Sequence, residues 1–286
     1  MKNVYGLTGK NVTVAVLDTG ISPHVDFDSR IIMFKDYVYG KTRPYDDNGH
    51  GTHVAGIIGG SGKASDGKYE GIAPGCNLVV LKILDKKGNG RRQDIISAIE
   101  WVRNMRRIYG IRIMNISVGT TEQEKGLHDL LIQAVEAAWD DGITVITAAG
   151  NLGPGPGTVT APGSSRKVIT VGSSDLMDQK DGISGRGPTR ECVCKPDLVA
   201  PGKEIISCAP GRSHREYAVK SGTSMSTPLV SGAAALALER APYLTNVQIK
   251  MLLCETARDL GLPHNQQGRG AFDFQKFLQY AVGQVQ

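Results

Sequence analysis

Ten consecutive residues, Leu229-Val230-Ser231-Gly232-Ala233-Ala234-Ala235-Leu236-Ala237-Leu238, carry no charge and a single hydroxyl. A helix that is apolar on every side must be buried all round, so the chain has to fold into something thick enough to enclose one. The run is entered through Ser221-Gly222-Thr223-Ser224-Met225-Ser226-Thr227-Pro228. That turn sets the Ser224 hydroxyl at the helix entrance, beside amide N–H groups that have no intrahelical partner and favour negative charge. A Ser or Thr in front of an apolar run is most often only a helix cap. Two other stretches of the chain argue for more.

At 286 residues the chain is long enough for one large core, burying about three quarters of the surface its unfolded form exposes. Gly and Pro are spread throughout, and no Ser/Pro-rich or single-sign charged segment divides the sequence. One domain over residues 1–286 is expected. The net charge of +5 comes from scattered basic residues, with pairs only at Arg91-Arg92 and Arg106-Arg107 and no aromatic interleaving, so no nucleic-acid partner is expected. The five cysteines (Cys76, Cys192, Cys194, Cys208 and Cys254) have no framework spacing, and Cys192 and Cys194 are too close for an ordinary bridge. This usage suits a reduced compartment. Met1-Lys2-Asn3-Val4-Tyr5 lacks the apolar core of a signal peptide, and no run has the length of a membrane span. A cytoplasmic location, with no membrane partner, is therefore expected. The alternative is a secreted protein whose signal and propeptide have been removed.

Val12 to Leu17 is a β-rich apolar run that ends at Asp18-Thr19-Gly20, placing a carboxylate at the carboxyl end of a central strand, the edge where open α/β sheets bind ligands. Next comes Asn48-Gly49-His50-Gly51-Thr52-His53-Val54-Ala55-Gly56, a glycine-flanked histidine leading into a helix of small residues. His50 stands between glycines at the loop-to-helix junction and is the candidate base; His53 lies inside the helix and reads as a packed residue. The pair lacks the Glu and the third ligand of a zinc site, so no metal is expected there. Gly59 to Ser65 fails the phosphate-loop pattern at Ile57 and Ala64 and reads as a surface loop. Strands at Asn77 to Leu84, Arg112 to Ser117, Ile143 to Ala149 and Lys167 to Gly172 alternate with helices at Arg91 to Arg107 and Gly126 to Asp141. This alternation predicts an α/β fold, a mostly parallel central sheet with helices on both faces, three layers in all. Beyond about residue 173 the pattern turns to loop and short strand. Lys195 to Gly202 reads as a Pro-bounded connection into a strand at Glu204 to Cys208, and Thr245 to Thr256 and Asp273 to Tyr280 as closing helices, the first capped by Thr245.

Asp18, His50 and Ser224 supply an acid to orient, an imidazole to take a proton and a hydroxyl to attack. Their contexts, Asp18-Thr19-Gly20, His50-Gly51-Thr52-His53-Val54-Ala55-Gly56 and Gly222-Thr223-Ser224-Met225-Ser226-Thr227-Pro228, resemble in that order the three signatures of the subtilisin-like serine peptidases, and subtilisin shares the order Asp, His, Ser. The resemblance runs from about Leu7 to Phe274 and is nearest in character to the intracellular bacterial members. It implies a subtilisin-like fold acting on polypeptide substrates, in which Asp18 supports His50, His50 is base then acid, and Ser224 forms an acyl-enzyme. It also implies that Asn151 and the Ser224 N–H form an oxyanion hole, where a fixed dipole meets charge that appears only in the intermediate.

By the same resemblance the substrate main chain pairs between Gly88-Asn89-Gly90 and Ser117-Val118-Gly119, and one pocket, walled by Ser117 to Gly119 and by Ala148, Ala149 and Gly150, takes the residue before the cut. Leu152 stands at its rim, where the family often has Glu, and Thr160 at its far end, where the family often has Gly. Large apolar residues are expected there, and Lys or Arg would enter without a partner for its charge. Many extracellular relatives hold a structural calcium in a loop after the His motif. Here that loop, Gly59 to Gly71, departs from the family's Asn-rich pattern, and Asp26, matching a ligand position, reads as a leftover; no cofactor is required for the chemistry, and the loop site is expected to be absent or altered, with a bound structural calcium as the alternative. Only 17 residues precede Asp18, so no propeptide is expected within the chain. A narrow processing peptidase, or an inactive binding module on the same fold, are the alternatives. An esterase would show G-x-S-x-G, which Gly222-Thr223-Ser224-Met225-Ser226 does not.

Overall fold

A computed structural model describes residues 5–120, 127–178 and 180–283. Nine strands and seven α-helices are found among them. In the first half these are β1 (Thr13–Asp18), β2 (Ile31–Asp36), α1 (His50–Gly59), β3 (Asn77–Lys82), α2 (Arg92–Met105), β4 (Ile111–Ile116), α3 (Leu127–Asp140) and β5 (Thr144–Ala148). The second half holds β6 (Ile169–Ser173), β7 (Leu198–Ala200), β8 (Ile205–Cys208), β9 (Tyr217–Lys220), α4 (Thr223–Arg240), α5 (Asn246–Thr256), α6 (His264–Gln267) and α7 (Phe274–Gly283). Gly126, the expected start of α3, lies outside the described residues.

Seven strands form one sheet in the order β2-β3-β1-β4-β5-β6-β7, and every neighbouring pair is parallel. Parallel strands need cover on both faces, and β1, β5 and β6 are buried at every residue. The helices supply that cover: α1 and α4 pack against each other and against the sheet, and α2 packs on α3. Strand order reverses direction at β1, with β3 on one side and β4 on the other. A crevice opens at such a switch point, outside the carboxyl ends of the strands.

The apolar run lies in α4 as expected, buried from Met225 to Leu238, with Ser224 in its first turn. Thr245 caps α5 through a full capping box with Gln248. Three strands escaped the sequence pattern. β2 is an edge strand of mixed exposure without clean alternation. β7 is three residues long between Pro196 and Pro201, a spacing that reads as a connection and is tolerated because the strand lies at the sheet edge. β9 pairs antiparallel with β8 in a separate two-stranded ribbon, and none of its residues is fully buried.

Candidate active site

β1 ends on Asp18, which is wholly buried. Its Oδ1 accepts from Thr19 N at 2.7 Å and lies 2.7 Å from His50 Nδ1, while Oδ2 is buried without a protein partner. A carboxylate in contact with a backbone N–H acts as acceptor, so Nδ1 carries the proton and Nε2 is left to face the cleft. Burial pulls the His50 pKa down, but the Asp18 charge and hydrogen bond outweigh it, and the net direction is above the ordinary imidazole value.

The first turn of α1 has no capping side chain of its own, because Gly49 precedes it. Buried Asp46 takes that part: Oδ1 accepts from Asn48 N, Gly49 N and Thr19 Oγ1 (3.1, 2.8 and 2.9 Å), and Oδ2 accepts from Thr52 N and Oγ1 (2.9 and 2.7 Å). Thr19 Oγ1 in turn accepts from Gly51 N at 2.8 Å. Asp46 therefore ties the turn after Asp18 to the helix that carries His50. Burial raises its pKa, but these donors more than offset that and hold the carboxyl below its usual range.

His53 is turned away from the cleft. Its Nε2 donates to the carbonyls of Ile205 and Ala218 at 3.0 and 3.1 Å, fastening α1 to the β8–β9 ribbon, and burial lowers its pKa to about 4.

Ser224 Oγ donates to Ser117 O at 2.7 Å rather than to His50. Asn151 follows β5, and its Oδ1 accepts from Thr223 N and Oγ1 at 3.0 and 3.2 Å. With the oxygen end fixed, Nδ2 is presented beside Gly222, where a Cβ would come within 3.3 Å of it.

A cleft of about 360 Å³ brings His50, Asn151 and Ser224 together with Gly88, Ser117, Val118, Gly119, Ala148, Gly150, Leu152 and Thr160. Asn89, Gly90 and Ala149 are not among its lining residues. Asn89 and Gly90 are exposed on the neighbouring loop, and Ala149 is buried, its N–H on Val171 and its carbonyl on Thr160. Thr19, Asn48, Leu84 and Thr223 line the cleft as well and were not singled out in the sequence. Thr19 and Thr223 stand next to Asp18 and Ser224, a signal that could have found them.

Among the described residues, His24, Asp26 and Cys208 form the one group with metal-ligand spacing, and all three are buried. Their atoms are already engaged. His24 Nδ1 accepts from Asp26 N at 3.1 Å and Nε2 meets Glu216 O at 3.0 Å. Asp26 Oδ1 accepts from Ala64 N at 2.9 Å, and Oδ2 from Tyr217 Oη at 2.7 Å and Cys208 Sγ at 3.5 Å. The loop after α1 folds over this carboxylate through a 3₁₀ turn at Lys63–Ser65.

The sequence matches the Subtilase family over residues 9–271. It is 45% identical over 276 residues to the serine protease AprX of Bacillus subtilis, covering 88% of this chain and 62% of that protein, so the chain spans less than two thirds of that relative. Subtilisin Savinase of Lederbergia lenta is 38% identical over 256 residues, covering 90% of this chain and 87% of the relative. Among solved structures, a cold-adapted subtilisin-like serine proteinase superposes with a TM-score of 0.75 at 32% identity (94% of this chain, 89% of the other). Sphericase does so at 0.79 and 30% (93% and 92%).

Proposed function

The chain belongs to the subtilase family of serine peptidases, and we propose that Asp18, His50 and Ser224 form its catalytic relay, with Asn151 as oxyanion donor, in an endopeptidase that cleaves after large apolar residues. The observation that carries the reading is the 2.7 Å contact between His50 Nδ1 and Asp18 Oδ1, in a cleft that also holds Ser224 and Asn151.

The steps follow from the donors in place. Ser224 rotates from Ser117 O toward His50 Nε2, which takes its proton as Oγ attacks the substrate carbonyl. Asp18 stabilises the imidazolium without itself being protonated. The oxyanion meets Asn151 Nδ2 and the Ser224 N–H, groups fixed before the charge forms. His50 then protonates the leaving amine, and water reverses the sequence to free the acid. Leu152, half exposed at the rim, offers no carboxylate to an incoming Lys or Arg.

We propose further that neither a catalytic nor a loop metal takes part. The Asp26 oxygens that would bind calcium accept from Ala64, Tyr217 and Cys208 instead.

Mass spectrometry of fragments released from a denatured protein tests this reading. Cuts after Leu, Met, Phe and Tyr are expected with the wild-type chain and none with Ser224→Ala; Lys or Arg as the leading residue before the cut would overturn the pocket assignment. Leu152→Glu should raise cleavage after Lys.

A further inference from the structure

The sequence holds two Asn-Gly pairs, Asn48-Gly49 and Asn89-Gly90. Glycine has no Cβ, so its main-chain nitrogen lies open to the side-chain carbonyl carbon of a preceding asparagine. Both pairs border the cleft, which Asn48 and Gly88 line, but they are held differently. Gly49 is buried, and its N–H donates to Asp46 Oδ1 at 2.8 Å. Asn48 Oδ1 accepts from His50 N and Nδ2 donates to Lys86 O, both at 3.1 Å. Every group that would have to move there is occupied. The second pair ends a turn pinned by Asp85, whose Oδ1 accepts from Lys87 N and Asn89 N at 2.8 and 2.9 Å and whose N–H donates to Asn89 O at 2.8 Å. The pinning stops at that carbonyl. Among the described residues neither the Gly90 N–H nor the Asn89 side-chain amide makes a hydrogen bond, and both residues are exposed. Packing also fixes the glycine, because a Cβ on Gly90 would lie 2.5 Å from Ile83 O and 2.6 Å from Leu84 Cδ2.

We propose that Asn89 is a site of spontaneous deamidation, with water as the only co-reactant, and that Asn48 is protected from it. The Gly90 nitrogen gives up its proton and bonds to Asn89 Cγ. The bond from Cγ to the side-chain nitrogen breaks, and ammonia leaves carrying that proton. Water then opens the resulting five-membered imide at either carbonyl, giving aspartate or isoaspartate. Isoaspartate carries the main chain through the former side chain, which adds a methylene to the backbone at residue 89. On the proposed pairing of substrate main chain with residues 88–90, that step puts the loop out of register with an extended peptide, whose affinity comes from main-chain hydrogen bonds. The relay itself is untouched.

The test is peptide mapping of the Ser224→Ala chain, which cannot digest itself, during incubation in warm, mildly alkaline buffer. An isoaspartate-specific methyltransferase with a labelled methyl donor marks the product. The bond from Gly49 to the ionised Asp46 alone corresponds to about tenfold or more, so Asn89 should react at least that much faster than Asn48. In urea the two rates should converge. Equal rates in the folded chain, Asn48 reacting first, or an Asn89 that stays intact would each overturn the inference. The consequence is read from kcat/KM of wild-type chain aged in the same buffer under a reversible boronic acid, then freed of it and counted by active-site titration. Loss of one pairing hydrogen bond corresponds to about fivefold, expected on long peptides and not on a single-residue ester. Asn89→Gln should hold its own starting rate through the same incubation. Full modification at Asn89 with unchanged rates on long peptides would overturn the pairing with residues 88–90 and leave the modification standing.

Discussion

The Ser224 hydroxyl and the Ser117 carbonyl oxygen are joined by a 2.7 Å hydrogen bond, so the proposed nucleophile rests against the end of β4 and not on His50. Catalytic hydrogen bonds are often long or misdirected before substrate arrives. A sulfonyl fluoride should nevertheless attach once per chain, at Ser224, because a serine hydroxyl is nearly inert at neutral pH without a base. His50→Ala should abolish labelling and His53→Ala should not; peptide mapping of the adduct checks both.

The acid limb of the kcat/KM profile reports the free-enzyme imidazole, which must be neutral to take the proton. Its folded pKa lies above the ordinary value because Asp18 outweighs burial. The limb should therefore fall above about 6.5. Asp18→Asn should lower turnover and move the limb down, as read from rates between pH 5 and 9.

His53 acts on stability in the opposite sense to His50. Its folded pKa is depressed to about 4, so as pH falls below 6.5 the unfolded chain binds a proton that the folded chain refuses. The stability present above pH 6.5 is lost down to about pH 4. The full loss is on the order of 3 kcal/mol. His50, with a raised pKa, offsets part of it by binding its proton more tightly when folded. Urea unfolding of Ser224→Ala, inert toward itself, should show this slope, and His53→Gln should flatten it.

Asn151→Ala should leave KM nearly unchanged and lower kcat by about 10² to 10³, a range set by subtilisin itself. The loss belongs in kcat because the oxyanion forms only after substrate is bound. Steady-state kinetics separates the two constants; a loss carried by KM alone would make Asn151 a ground-state contact.

A chelator should shift the melting temperature little, since Asp26 is held by protein donors. Tyr217→Phe removes one of them and should cost about 1 kcal/mol, typical of a hydrogen bond to a buried acceptor. Calorimetry with and without chelator, on the Ser224→Ala background, reads both.

The residues proposed for the relay were legible in the sequence because each is punctuated locally: Asp18 by the end of an apolar strand, His50 by glycines on either side, Ser224 by the turn into α4. The sheet was legible for a related reason, since its central strands are buried on both faces and so carry unbroken apolar runs. Asp46 was not legible. One of its five hydrogen bonds reaches Thr19, 27 positions away, and although the other four go to residues two to six positions on, nothing in the chain there marks it out from Asp47 beside it.

The helix that carries Ser224 is also the one the core is built around. If Ser224 is the nucleophile, as proposed, a molecule that opens α4 loses its centre and its activity together and becomes a flexible polypeptide, the material its folded neighbours would cut. Near the melting midpoint both kinds coexist, and each unfolding event is made permanent by an intact copy. Heat inactivation should then accelerate with protein concentration and refuse to reverse on cooling, so that the working lifetime is set by how fast α4 is released and not by an equilibrium.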